Sequence, residues 1–323
     1  ELVEELFGQG LIKILYTTET FAVGINMPAK TVCFKALRKF DGISFRFLNS
    51  KEYFQIAGRA GRRGIDKVGY SYAMIDRRDF DYDLLKKMTT KDVDPIKSQF
   101  KLSINTVLNI VNRHTEKEVE HILTMNFHTY QKYGKDFEAT TKSKIISKFD
   151  TIIKKLTKLE FLEGRELTYK GHFGARIYAD EILTAEIFAT NFYEDFNEYQ
   201  ILIILAALSY EPRETTQFIN TFDSKFLRDL NKQIGHHKLL RKDKRFHELK
   251  NLTAFIDPVY HGKSIFAVLE NTSLLEGDVI RIFRQILDRI GQIKDATHES
   301  ELRRILNSVA DIVDEAMKDI DIV

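Results

Sequence analysis

At 323 residues, with 43% hydrophobic and 30% charged side chains, the chain has ordinary globular composition, which argues against disorder and predicts two or three compact units. Basic and acidic side chains nearly balance, 49 against 47, so any nucleic-acid surface must be a local patch and not a global field. Cys33 is the single cysteine, which excludes an intramolecular disulfide and a multi-cysteine zinc site, and the longest wholly apolar run, Ile201 to Leu208, is far short of the roughly 20 residues of a membrane span; a soluble, cytoplasmic protein with no membrane partner is expected.

The first residue is Glu1, and Leu2, Val3, Leu6 and Phe7 already lie at helical spacing, so the chain is expected to begin in mid-fold. Leu11 to Thr17, Lys30 to Ala36 and Gly69 to Ile75 read as buried strands. Between the last two a helix is predicted, with Ser50 as N-cap, Glu52 in its first turn and Gly64 at its end. Strands alternating with helices predict an α/β unit with a mainly parallel sheet from Glu1 to about Asp83.

Beyond Asp83 helical periodicity takes over, so the predicted fold class is α/β followed by mostly α. Leu102 to Val111, Glu116 to Met125 and Lys144 to Leu159 predict three helices, and Phe161-Leu162, Leu167 to Tyr169 and Ala175 to Tyr178 predict a β-ribbon. Three helices and a ribbon read as a winged helix over residues 84–178. Residues 179–323 read as a helical bundle interrupted only at Pro212 and Pro258. Its helix from Glu276 to Lys294 carries a core seam of Val279, Phe283, Ile286, Ile290 and Ile293. The opposite stripe of Arg281, Arg284, Gln285, Asp288 and Gln292 faces solvent or a ligand.

Two motifs carry chemistry. In Gln55-Ile-Ala-Gly58-Arg59-Ala60-Gly61-Arg62-Arg63-Gly64, Arg59 and Arg62 are three apart and would share one helical face, while the small residues allow close backbone approach. Paired guanidiniums suit a polyphosphate and can neutralise charge that builds on a transferring phosphoryl group. The plainer alternatives are exposed arginines on a glycine-rich loop, or an RGG-like nucleic-acid contact. The second motif follows the first predicted strand: Thr17-Thr18-Glu19-Thr20-Phe21-Ala22-Val23-Gly24-Ile25-Asn26-Met27-Pro28-Ala29. Small hydroxyls and backbone amides there can hold nucleic-acid phosphates, although Gly24 and Asn26 equally suit a tight turn.

Together these segments resemble motifs V and VI of superfamily-two helicases, and Thr-Glu-Thr-Phe-Ala-Val-Gly-Ile-Asn-Met-Pro-Ala is similar to the superkiller-like, exosome-cofactor group of DExH-box RNA helicases. Phe100-Lys-Leu-Ser-Ile-Asn-Thr-Val-Leu-Asn resembles the start of that group's winged helix, and Glu276-Gly-Asp-Val-Ile-Arg-Ile-Phe-Arg its ratchet helix. The resemblance implies that residues 1–83 are part of a second RecA-like domain and residues 179–323 a DSHCT-like bundle. It implies arginine fingers at Arg59 and Arg62, with Gln55 at the nucleotide cleft. Gly24 and Asn26 would couple that cleft to RNA, Thr18 would hold an RNA phosphate, and Arg281, Arg284 and Asp288 would meet the threaded strand. The implied cofactor is ATP with Mg, and the implied partners are RNA, an N-terminal RecA-like domain and an RNA-degrading nuclease complex.

The departures matter as much. No Gly-x-x-x-x-Gly-Lys-Ser/Thr and no Asp-Glu-x-His occur in the chain, so it is not expected to hydrolyse ATP unaided. Only Tyr130 to Thr141 stands where some relatives carry a long arch, so arch-dependent adaptor binding is not expected. Two other readings stay open: a non-catalytic nucleic-acid-binding or assembly module with a relict arginine pair, and a DNA-repair helicase, a group that more often has a Leu-Ala-Ala-Gly-Val-Asn-Leu-Pro style loop. His236 and His237 read as a solvated basic face, Cys33 as a buried thiol, and Lys148, Lys154, Lys155 and Lys158 as a helix surface able to touch nucleic acid.

Overall fold

The computed structural model describes residues 2–19, 27–40, 44–76, 81–90, 95–134, 139–212, 215–318 and 320. Gly24 and Asn26 lie outside the described residues. The chain divides into two compact units, Glu1–Lys97 and Ser98–Val323.

The first unit opens with helix α1 (Leu2–Gly8) and continues through strands β1 (Thr31–Phe34), β2 (Arg38–Phe40) and β3 (Phe45–Phe47), helix α2 (Ser50–Ala57), strand β4 (Tyr70–Ala73) and helix α3 (Tyr82–Thr90). β1 and β4 pair in parallel, Thr31 opposite Tyr70 and Phe34 opposite Ala73. Parallel partners need a long crossover, supplied here by the antiparallel β2–β3 hairpin and α2. Strand alternation then sorts the side chains. Val32, Phe34 and Ala73 turn toward a small core with Leu37, Leu48, Tyr53, Ile56, Leu85 and Met88, where the Phe34 and Tyr53 rings stack at 5.2 Å. Cys33, Tyr70 and Tyr72 take the other face and are exposed, so the buried thiol expected at Cys33 is not found.

Two further expectations fail here. Leu11 to Thr17 forms no strand: Leu11, Ile14 and Tyr16 are exposed, and a strand without a neighbour has no ladder to satisfy its amides. The predicted helix is capped by Asn49, one residue before Ser50, because the Asn49 Oδ1 accepts from the Glu52 amide at 2.9 Å while Glu52 accepts from the Asn49 amide at 2.8 Å. It ends at Ala57, far short of Gly64.

The second unit contains α4 (Ile104–Arg113), α5 (Glu116–Thr124), α6 (Phe127–Tyr133) and α7 (Ala139–Lys158), the hairpin β5 (Leu162–Glu163) with β6 (Glu166–Leu167), and α8 (Tyr169–Ala175). The ribbon is shorter than predicted. Thr168 caps α8 by accepting from the Gly171 amide, so Ala175 ends a helix instead of starting a strand. A Cβ on Gly171 would lie 2.1 Å from the Phe161 carbonyl oxygen, so only glycine lets α8 seat against that backbone.

The rest is α9 (Glu181–Phe188), α10 (Glu198–Ser209), α11 (Lys225–His236), α12 (Leu249–Tyr260), α13 (Phe266–Leu269), α14 (Glu276–Ala296) and α15 (Ser300–Met317). Every residue of α10 from Tyr199 to Leu208 is buried, as an all-round apolar helix must be, and α11, α12, α14 and α15 pack about it. Pro258 does not interrupt the helical run; it sits inside the last turn of α12. Among the described residues, no helix is long and apolar enough to cross a membrane. The chain is thus mostly helical with one small parallel sheet.

Candidate nucleotide and RNA sites

Arg59 and Arg62 do not project from a helix. α2 stops at Ala57, the Gly58 amide closes it on Phe54, and the chain then turns through Arg59 to Gly61. The turn is held by a backbone junction: the Ala29 amide donates to the Arg59 carbonyl at 2.9 Å and the Gly61 amide donates to the Ala29 carbonyl at 2.7 Å. Gly61 has φ +94, and a Cβ on Gly69 would lie 2.4 Å from the Ala60 carbonyl, so both glycines are required for this approach. The last residue of one sequence motif is thereby stitched to the middle of the other.

Arg59 is half-buried and Gln55 is exposed. Arg62 keeps 42% of its side chain exposed but is clamped to Asp66: its Nε donates at 2.7 Å, its Nη2 at 3.0 Å, and its backbone amide to the same carboxylate at 3.0 Å. The Arg62 hydrogen bonds hold the Asp66 carboxyl down at about 2, so it is ionised throughout the neutral range. Five donors belong to a guanidinium, so the clamp leaves three N–H groups for another acceptor.

A second link ties these segments together. Lys39, on β2, contacts Glu19 at 2.7 Å and Glu52 at 3.1 Å, and Arg46, on β3, binds Glu52 in a fork with contacts of 2.9 and 2.7 Å. The Arg46 fork is the main reason the Glu52 carboxyl is held at about 2. Thr18, next to Glu19, is exposed.

In the second unit, α14 buries Val279, Ile282, Phe283, Ile286, Ile290 and Ile293 and turns Arg281, Arg284, Gln285 and Asp288 outward. With Gly277 and Ile280 these four line an open groove. Arg281 reaches back to Asp278 at 3.0 Å, while Arg284 makes no hydrogen bond or ion pair with another described residue. Asp288 accepts from the Gln292 Nε2 at 2.7 Å. Lys148, Lys154, Lys155 and Lys158 are exposed on α7.

Several structural residues escaped the sequence reading. Arg289 is nearly buried beside the stripe, where it donates to the carbonyls of Ala179 and Leu208 and meets Asp180, which also pairs with Arg245 at 2.8 Å. Burial lowers the Arg289 pKa, so Asp180 is needed to keep that charge compensated. His237 is not part of a solvated face: only 18% of its side chain is exposed, it lies 3.7 Å from Glu186 and its ring stands edge-on to Phe192. Burial depresses its pKa. Glu186 in turn pairs with Lys170, whose Nζ also donates to the Leu159 carbonyl at 2.9 Å. No spacing in the sequence announces either cluster, since each joins residues far apart in the chain.

Residues 164–319 match the DSHCT (NUC185) domain family. The chain is also 47% identical over 135 residues to "mRNA transport homolog 4" of Caenorhabditis elegans, 47% identical over 132 residues to the DExH-box ATP-dependent RNA helicase DExH10 of Arabidopsis thaliana, and 47% identical over 133 residues to the exosome RNA helicase MTR4 of Homo sapiens. These stretches cover 42%, 41% and 41% of this chain but only 13% of each relative. The two motifs, the DSHCT match over residues 164–319 and these identities together support placing the chain in the superkiller-like, exosome-cofactor group of superfamily-two DExH-box helicases.

Proposed function

We propose that this chain is the C-terminal half of an ATP-dependent RNA helicase that unwinds or threads RNA. In this reading residues 1–83 complete a second RecA-like domain, 84–178 form a winged helix whose wing is the short β5–β6 hairpin, and 179–323 form the DSHCT-like bundle with α14 as the RNA-gripping helix. The observation that supports it is the Ala29–Ala60 junction, which joins Ala29, the last residue of the second motif, to the backbone of the arginine turn. A movement at one is then felt at the other.

The arginine turn fits a triphosphate edge: Arg59 is half-buried, Arg62 is partly exposed with three unclamped donors, and Gln55 faces solvent. ATP supplies the free energy of the cycle when bound. This chain's part is to hold phosphate oxygens with Arg59 and Arg62, Asp66 fixing the plane of the Arg62 guanidinium. The phosphate cradle and the Mg ligands belong to an N-terminal RecA-like domain outside this chain. Gly24 and Asn26 would pass the nucleotide state to RNA held at Thr18. RNA is the substrate, and relatives named exosome RNA helicases support an RNA-degrading nuclease complex as a partner.

The Asp66 clamp favours a second reading, in which the arginine pair is a structural relict of a non-catalytic RNA-binding module. Arg62→Ala in the full-length protein separates the two. The motor reading expects ATP turnover to fall about 10³-fold or more, with RNA affinity nearly unchanged. Unchanged turnover would leave the relict reading standing.

A further inference from the structure

The segment joining α8 to α9 is strapped along α14 by a ladder of polar contacts. Arg176 donates to the Asp295 carbonyl at 2.8 Å, the Tyr178 amide to the Gln292 Oε1 at 3.1 Å, and Arg289 to the Ala179 carbonyl at 3.0 Å. Arg289 then meets Asp180, itself in the left-handed region at φ 60. So many anchors leave the backbone at Tyr178 little freedom. Its side chain nevertheless stands 78% exposed, and its hydroxyl bonds to no described residue.

Position makes this informative. Gln292, which holds the Tyr178 amide, also binds Asp288, so the tyrosine stands at the C-terminal end of the outward stripe formed by Arg281, Arg284, Gln285 and Asp288. From Arg281 to Gln292 the helix rises about 16 Å, the length of several stacked nucleotides at ~3.4 Å each. Arginines at one end and an exposed ring on an anchored backbone at the other are the two parts of a sequence-tolerant single-strand track: cations for phosphates and a π-face for bases. A ring on an already ordered backbone loses little freedom when a base lands on it.

We propose that Tyr178 is a base-stacking platform for single-stranded RNA lying along the outward stripe of α14. The proposal deepens the reading of α14 as the RNA-gripping helix and rests on it, but Tyr178 lies on the connector ahead of α9 and not on that helix.

The chain has no tryptophan, so Tyr178→Trp installs a unique fluorophore at the platform. Titration of this variant with a single-stranded oligouridine should quench the introduced indole saturably, in step with RNA anisotropy. Tyr178→Ala should weaken binding about tenfold and leave the slope of log affinity against log salt unchanged, whereas Tyr178→Phe keeps wild-type affinity. The Arg281→Ala, Arg284→Ala double variant should instead flatten that slope by about 0.7 for each phosphate it no longer neutralises. An indole silent to RNA that binds, or a Tyr178→Ala variant of wild-type affinity, overturns the platform while weaker binding by the arginine variant preserves the helix reading. Wild-type affinity and slope in the arginine variant, or no RNA binding by the chain, overturns both.

Discussion

In residues 1–97 the buried apolar side chains among the described residues are Phe34, Leu37, Leu48 and Met88, whereas in residues 98–323 α10 alone buries every position from Tyr199 to Leu208. Around that small core the first unit is knit by directed polar contacts: the Ala29–Ala60 junction, the Arg62–Asp66 clamp and the Lys39–Glu52–Arg46 fork. Such contacts are specific in geometry and weak in net energy, while apolar packing is strong and tolerant of detail. In the proposed motor reading, that division suits a first unit that changes with nucleotide state and a second that holds its shape.

The second unit tests the division most severely at its own polar exception. Lys170 and Glu186 are each 9% exposed, and the pair is buried with His237 beside it. Glu186→Ala would leave the buried Lys170 ammonium without a counter-charge, its remaining hydrogen bond going to the Leu159 carbonyl, at an expected cost of about 3–5 kcal/mol in denaturant unfolding. The double variant Lys170→Met, Glu186→Leu should recover most of that loss, because two well-packed apolar side chains replace a pair whose desolvation offsets its attraction. A double variant as unstable as the single would mean the ion pair contributes far more than packing, and the contrast between the units would blur.

A smaller effect sharpens the comparison at two apolar positions. Leu205 is fully buried at the centre of α10, and Leu205→Ala should cost about 2–5 kcal/mol. Ile14 is 73% exposed in a segment whose composition resembles a core strand, and Ile14→Ala should stay within about 0.5 kcal/mol. Similar losses at both sites in urea melts would show that residues 11–17 pack after all.

These two positions also mark how far the fold was legible in the sequence. The seam of α14 was readable because helical period sorts buried from exposed positions, and the run of α10 because a wholly apolar stretch too short to span a membrane belongs in a core. Leu11 to Thr17 misled because apolarity predicts a wish for burial, and only a partner strand grants it. The β2–β3 hairpin was missed because each strand has three residues, too few for a period to show. At the candidate sites the motifs stood out in the sequence, but their geometry did not: Arg59 and Arg62 come from a glycine-shaped turn that the spacing presented as a helix. Asp66 stands only four residues from Arg62 and was passed over although that spacing is visible, whereas Tyr178 could have been found only by knowing that α14 passes beside it.

The mildest perturbation probes the fork itself. Glu52 binds Arg46 and Lys39 and caps α2, and its carboxyl titrates near 2 where an ordinary glutamate titrates near 4.5. A carboxyl held down in the folded state favours folding fully above pH 4.5 and loses that contribution as pH falls toward 2, for at most ~3 kcal/mol. Asp66 titrates in the same window, so the total acid response cannot be assigned to one group. The difference between wild type and Glu52→Gln can. Followed by hydrogen exchange of the α2 amides, that difference should be constant from pH 7 to about 5 and shrink toward pH 2, as protonation makes the wild-type side chain as uncharged as glutamine. A gap that stays constant down to pH 2 would mean that the fork holds α2 through shape and neutral hydrogen bonds, and that charge contributes little to this unit's stability.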